Sequence, residues 1–174
     1  RTGLLNEDFG LITLHRPINV DKKESIIEIF NAINEIQHNL PLIFPIHPRT
    51  KKNIKDFDLG AIINKMKNLY VIDPVGYYDF LKIMKSSKIV LTDSGGIQEE
   101  TTYLGIPCLT LRNNTERPIT IECGTNTLVS ISSKDIINAF NKTITENHSN
   151  YQIPELWDGK TAKRIIKIIV ENHN

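Results

Sequence analysis

"LTDSGGIQEETTYLG", residues 91 to 105, decides how the rest of the chain is read. An apolar run ends at Thr92, two glycines follow at 95 and 96, and a helical stretch closes at Gly105. Gly105 is well placed as a C-terminal helix glycine. Glycines where a strand gives way to a helix let the main chain approach a ligand, and the first amides of the helix favour an anion. Ser94 could add a hydrogen bond, and a diphosphate suits this turn. The competing reading is a tight turn that needs glycine for its geometry alone. The adjacent Glu99 and Glu100 would repel a bare phosphate, but they project about 100° apart on a helix, so only one can face a ligand. A carboxylate one turn beyond the anion can accept two hydrogen bonds from a cis-diol; the other reading is a solvated helix face. Neither GxGxxG nor GxxxxGK is present, so ATP hydrolysis is not expected.

Outward from this stretch, short apolar runs alternate with amphipathic ones. The runs at 10–14, 42–46, 69–72, 88–92, 106–111 and 127–131 predict strands. Residues 21–40 predict a helix, with Ile26, Ile29, Phe30, Ile33, Ile36 and Leu40 at helical spacing and a capping box from Asp21 and Glu24. Further helices are expected over 50–67, 76–87, 97–104, 133–147 and 161–172. Strands apolar almost throughout are covered on both faces. The fold class is therefore α/β: a Rossmann-like three-layer parallel sheet with helices on both faces, in a single domain over 1–174.

In such sheets ligands bind beyond the carboxyl ends of the strands. Polar residues collect there: His15 and Arg16 after the first strand, His47 and Arg49 after the second, and Asp73 after the third. Asp93 and Ser94 follow the fourth, and Arg112, Thr115, Glu116 and Arg117 the fifth. Arginine forks match phosphate oxygens, and histidine can donate to a leaving oxygen or shuttle a proton. Arg112 or Arg117 could form a second anion clamp, with Glu116 orienting an arginine or touching a sugar hydroxyl. The residues point to a nucleotide-binding edge, compatible with a nucleotide-sugar.

Composition narrows the classes. The chain has 174 residues, 40% hydrophobic and 24% charged, with a net charge of +1. That is ordinary for a globular domain and offers no basic surface for nucleic acid. No run approaches the ~20 apolar residues of a membrane span. Cys108 and Cys123 form no CxxC or Cys/His cluster, so they read as reduced packing residues of a cytoplasmic protein, and no metal site is expected.

The stretches "TLHRPINVD", "FPIHPRT", "IDPVGYYDFL", "LTDSGGIQEETTYLGIPCLTLRNNTERP", "GTN" (124–126) and "WDGKTAKRI" occur in an order that resembles the non-hydrolysing UDP-N-acetylglucosamine 2-epimerases. The resemblance covers nearly the whole chain but only that family's C-terminal half. It implies one half of a two-domain GT-B arrangement whose N-terminal domain is absent, which agrees with a chain opening on Arg1 rather than methionine. The implied reaction interconverts UDP-GlcNAc and UDP-ManNAc by loss and re-addition of UDP, without a cofactor. It implies a role in cell-envelope polysaccharide biosynthesis, and a fragment inactive alone because the acid and base carboxylates lie on the other domain. Carried onto this sequence, Ser94, Gly95 and Gly96 would hold the diphosphate and Glu100 the ribose. His15 and Arg16 would lie by the phosphates and leaving group, with His15 catalytic, and Arg117 by the sugar phosphate. Residues 72–74 would pass the uracil; His47, Arg49 and Glu116 complete the candidate binding set. Expected partners are UDP or a UDP-N-acetylhexosamine and the N-terminal domain, with a homodimer left open and no nucleic acid or membrane. Ile18 and Ile119 stand where the family usually has glutamate. Alternatives are a UDP-sugar-dependent GT-B glycosyltransferase half and a non-catalytic nucleotide-sugar-binding module.

Overall fold

The structure, a computed structural model, describes residues 8–146 and 151–172. Six parallel strands form one sheet: β1 (Gly10–Thr13), β2 (Leu42–Pro45), β3 (Leu69–Ile72), β4 (Ile89–Thr92), β5 (Cys108–Leu111) and β6 (Asn126–Val129). Their spatial order is β3-β2-β1-β4-β5-β6. The chain reverses direction across the sheet between β1 and β4, paired in register from Gly10↔Ile89 to Thr13↔Thr92. Such a switch point opens a crevice beyond the carboxyl ends of its two strands.

The two-residue period of the strands sends neighbouring side chains to opposite faces. Ile12 and Leu91 join the larger core with Phe30, Ile33, Phe44 and Phe140, beneath α2 (Lys23–Ile36) and α8 (Ser133–Thr145). Leu11 and Val90 face the other way, onto Met84 of α5 (Tyr77–Ser86) and Ile97 of α6 (Gly95–Leu104). This is the expected α/β three-layer arrangement. The central β4 and β5 are wholly buried, while the edge strands β3 and β6 are partly exposed. Cover on both faces therefore holds for the middle of the sheet and not for its edges.

Several predicted bounds move, each for a local reason. The helix expected over 21–40 ends at Ile36, and the Gln37 side chain instead accepts from the Asn68 amide at 2.8 Å, tying the turn to the start of β3. Its predicted capping box is absent: Lys22 is the N-cap, and Asp21 accepts from Arg49 and Asn53. The expected helix over 50–67 is two, α3 (Pro48–Asp56) and α4 (Gly60–Asn64), separated where Asp58 takes a left-handed φ of 56°. Two four-residue helices went unpredicted, α1 (Pro17–Val20) and α7 (Ile119–Glu122). The expected helix near the end of the chain is α9 (Thr161–Glu171). Gly105 closes α6 at φ 71°, a conformation open to glycine. The predicted end of α8 at residue 147 lies outside the described residues.

Candidate functional site at the β1/β4 switch point

β4 ends at Thr92, and Asp93 follows with no exposed surface. Its carboxylate accepts from the backbone amides of His15 (3.0 and 3.1 Å) and Arg16 (2.8 Å) and from Asn19 Nδ2 (3.2 Å). It also lies 3.0 Å from His15 Nδ1. A buried carboxylate requires such donors. Asp93 thus ties the end of β1 to the end of β4, and Asn19 extends the tie to Leu111 O at the end of β5 (3.0 Å).

Ser94 is the N-cap of α6, and its amide donates to Thr92 Oγ1 at 3.0 Å. Gly95 and Gly96 are the first two residues of the helix, and neither has a positive φ. The backbone does not need glycine here for its conformation. A Cβ at Gly95 would meet nothing closer than Arg16 Nη2 and Glu116 Oε2, each at 3.9 Å, and one at Gly96 would meet nothing within 4 Å. The glycines leave open space before the α6 amides, where the helix dipole favours an anion. That weighs against a turn shaped by geometry alone.

Two charged groups border the opening. Arg16 comes from the β1 end. Glu116 comes from the 112–118 loop, where Arg112 grips it by two bonds of 2.8 and 2.7 Å. The Arg112 guanidinium holds the Glu116 carboxyl down at about 2, with Arg16 contributing. Arg117 Nε stands 2.6 Å from Glu99 Oε1, close but poorly aligned for a hydrogen bond. The two glutamates do diverge: Glu99 pairs with the loop, while Glu100 turns toward Tyr77, whose hydroxyl donates to Oε1 at 3.3 Å. Glu100 Oε2 is buried without a partner, and desolvation raises this carboxyl above its ordinary value. An unpartnered carboxylate oxygen is a group in want of a donor. It borders a hollow of about 570 Å³ that also takes in Tyr77, Tyr103 and Trp157.

The His15 and His47 rings lie 5.5 Å apart. His47 also N-caps α3, its Nδ1 accepting from the Arg49 amide at 3.1 Å. Both rings border a smaller hollow of about 240 Å³, with Pro74, Val75, Phe80 and Ile97 among its walls. The structure therefore brings together His15, Arg16, His47, Ser94, Gly95, Gly96 and Glu116, with Glu100 and Arg117 further along α6 and its neighbouring loop. Arg49 is not among them: its side chain pairs with Asp21 at 2.8 and 2.5 Å, beside a separate surface hollow. A cationic fork beside a free aspartate takes the nearer partner, which the strand-end rule could not foresee. Reasoning from sequence placed Asp93 after a strand but gave it no role, and it passed over Asn19, Tyr77 and Gln98. The signal available for Asp93 was an acid between an apolar strand and a glycine turn.

Among the described residues no helix is long and apolar enough to cross a membrane, and no group of three or more His, Cys, Asp or Glu could hold a metal ion. Cys108 is buried, with its thiol pushed up to about 11 by burial. A thiol so protonated is unreactive.

The sheet order and the strand-end crevice define a Rossmann-like α/β domain. Residues 1–170 match the family model for UDP-N-acetylglucosamine 2-epimerase, and the chain belongs to that family. It is 42% identical over 168 residues to a UDP-N-acetylglucosamine 2-epimerase of Methanocaldococcus jannaschii, covering 95% of this chain and 45% of that protein. It is 39% identical to a UDP-2,3-diacetamido-2,3-dideoxy-D-glucuronate 2-epimerase of Pseudomonas aeruginosa, covering 97% and 46%. A crystal structure of the M. jannaschii UDP-GlcNAc 2-epimerase in complex with UDP-GlcNAc and UDP superposes with a TM-score of 0.88 at 42% identity, over 97% of this chain and 47% of that one. The chain thus spans about half the length of the relatives it matches.

Proposed function

We propose that this chain is the UDP-binding C-terminal half of an enzyme that interconverts UDP-GlcNAc and UDP-ManNAc by eliminating and re-adding UDP. The observation that carries the reading is the open space at Gly95 and Gly96, faced by the α6 amides and Arg16 at the switch point. The diphosphate lies there with Ser94 beside it. The ribose diol supplies the donor that Glu100 Oε2 lacks. The uracil takes the hollow walled by Pro74, Val75 and Phe80. His15, held by Asp93 at Nδ1, presents its other ring nitrogen to the leaving phosphate as a proton donor. Arg117 and Glu116 lie toward the sugar, and His47 flanks His15. That the M. jannaschii relative was crystallised with UDP-GlcNAc and UDP supports the ligand class.

The chain does not perform the reaction alone in this reading: Glu116, the carboxylate beside Gly95, is engaged by Arg112 through both oxygens, and the acid and base carboxylates belong to the other half of the enzyme. An N-terminal domain closes the cleft. The exposed Ile165, Ile166, Ile168, Ile169 and Val170 of α9 offer that domain an apolar face. The setting is cytoplasmic, in supply of sugars for cell-envelope polysaccharide. The test is NMR of the two-domain protein with UDP-GlcNAc as sole substrate: UDP-ManNAc should accumulate, and none should form with the 174-residue chain. A second reading is favoured by Ile18 of α1, 60% exposed, and Ile119 at the start of α7, 38% exposed. Apolar groups where acids are usual suit a module that binds the nucleotide-sugar and leaves it unchanged, and the same spectra would then show UDP-GlcNAc intact.

A further inference from the structure

Gln98 lies on the inner side of α6 with no exposed surface. Its Oε1 accepts from Thr115 Oγ1 at 2.6 Å and from Asn126 Nδ2 at 3.2 Å. Thr115 Oγ1 in turn accepts from the Arg117 amide at 2.9 Å. Thr120 Oγ1 donates to Arg117 O at 2.7 Å and accepts from Asn126 Nδ2 at 3.2 Å. Asn126 is fixed from the other side by Thr110 Oγ1 of β5, which donates to its Oδ1 at 2.6 Å. The chain of bonds begins on α6, crosses β5 and β6, and closes around both backbone groups of Arg117. Outside it, the ion pair of Glu99 with Arg117 ties the same helix to the same loop.

The 112–118 loop carries Arg112, Glu116 and Arg117, and Glu116 stands before the first residue of α6. A seven-residue polar loop would ordinarily sample many conformations, and the order of its arginines has to come from somewhere. We infer that Gln98 is a positioning residue: through Thr115 it fixes the 112–118 loop against the start of α6, so that the arginines and the helix amides meet a diphosphate as one preformed clamp. Gln98 touches no ligand in this account. It acts from behind the site through Oε1, which takes both of its bonds, while its Nε2 is buried without a hydrogen-bond partner among the described residues; the cooperation that matters is among Oε1, Thr115, Asn126 and Thr120. A preset loop loses less conformational freedom on binding, so the network raises affinity without contributing a contact. The inference rests on the diphosphate reading above for its binding consequence, and on the hydrogen bonds alone for the order of the loop.

The test uses Thr115→Val, which deletes the hydroxyl from the loop while leaving the buried α6 side chain in place, with Thr115→Ser as its rescue. Gln98→Ala is the second variant, read alongside its melting temperature. Amide hydrogen exchange is measured first, without ligand. Thr115→Val removes both bonds of that hydroxyl, to Gln98 Oε1 and from the Arg117 amide, and should speed exchange across 112–118 by about fivefold or more; Gln98→Ala, which leaves the Arg117 amide bonded, should speed it by about threefold to tenfold, with α2 and β4 unchanged in both. Thr115→Ser should restore the parental rates. UDP and inorganic pyrophosphate should then weaken by the same factor in Thr115→Val, while uridine, followed by NMR shifts, should not. Unchanged loop exchange in both Thr115→Val and Gln98→Ala overturns the inference. So does a UDP affinity equal to that of the parent despite a loosened loop. If the parent chain binds no UDP, the functional reading fails, and the exchange rates still decide whether Gln98 orders the loop.

Discussion

Replacing Asp93 with asparagine tests the junction on which the site is built. The carboxylate has no exposed surface, receives the His15 and Arg16 amides and Asn19 Nδ2, and lies 3.0 Å from His15 Nδ1. An asparagine oxygen set in the Oδ2 position keeps the bonds to the His15 and Arg16 amides and to Asn19. The amide nitrogen then lies where Oδ1 was, facing the His15 amide, which had donated to Oδ1 at 3.1 Å, and 3.0 Å from His15 Nδ1. The His15 ring must turn or change tautomer, and one charge-assisted bond is lost inside the sheet edge. A hydrogen bond to a charged group is worth about 1.5–3 kcal/mol, and a donor left facing a donor adds to that. For a domain of this size each kcal/mol moves the melting temperature by about 2–4 °C, so Asp93→Asn should melt roughly 5–12 °C lower. Circular dichroism measures this directly. UDP affinity at 25 °C, where the variant is still folded, should also fall, because the His15 ring loses its carboxylate neighbour. A variant that melts within about 2 °C of the parent would refute the argument that Asp93 holds the two strand ends together.

Glu100→Ala should weaken UDP by about tenfold or more and leave pyrophosphate nearly unchanged, since the proposed partner is ribose; equal losses would make Glu100 a surface residue. Burial raises the Glu100 carboxyl above 4.5, and diol donors stabilise its charged form. UDP binding should therefore release a proton, and affinity should drop as pH falls through the raised value, a dependence that calorimetry should find missing in Glu100→Gln. Glu116 behaves oppositely: its folded value of about 2 lies below the ordinary 4.5. The stabilisation from its pair with Arg112 is thus full above 4.5 and lost only as pH falls toward 2, and a side-chain carboxyl NMR titration should show no change between pH 6 and about 4. Ile165→Glu combined with Ile169→Glu should leave the melting temperature of the 174-residue chain within about 4 °C, because both side chains are exposed. The same pair should impair packing of the two-domain protein, which comparison of its melting temperature will show.

The layered sheet was legible because its cause is periodicity. The central strands are apolar on both sides, and the amphipathic stretches between them have helical spacing. Gly105 was legible from its place after the last helical residue, and it does take the left-handed conformation. The polar strand ends were equally legible as a set, since crevice residues must follow strands in this fold. Partnership inside that set was not. Arg49 follows β2 as Arg16 follows β1, yet it turns to Asp21, because a pair brought together by two helices leaves no trace in local sequence. The break between α3 and α4 depends on Asp58 in a conformation asparagine and aspartate tolerate, a weak signal in a polar run. Gln98 looked like one more polar residue of "GIQEE"; its burial arises from β6 and the 112–118 loop, both distant in sequence. The glycine pair shows the reverse. Its residues were recognised for backbone freedom, whereas the structure gives them ordinary helical backbone and open space instead.

The most direct test of the account is a titration of UDP into the isotopically labelled 174-residue chain, followed by amide chemical shifts. Saturable, weak binding should move the amides of Ser94, Gly95, Gly96 and Ile97 together with those of Arg16 and Glu100, and should leave Lys52 and Asn53, beside the Asp21–Arg49 pair, still. Shifts absent from the 94–97 turn at millimolar UDP, or confined to the surface hollow beside Arg49, would contradict the claim that the β1/β4 switch point is a UDP site.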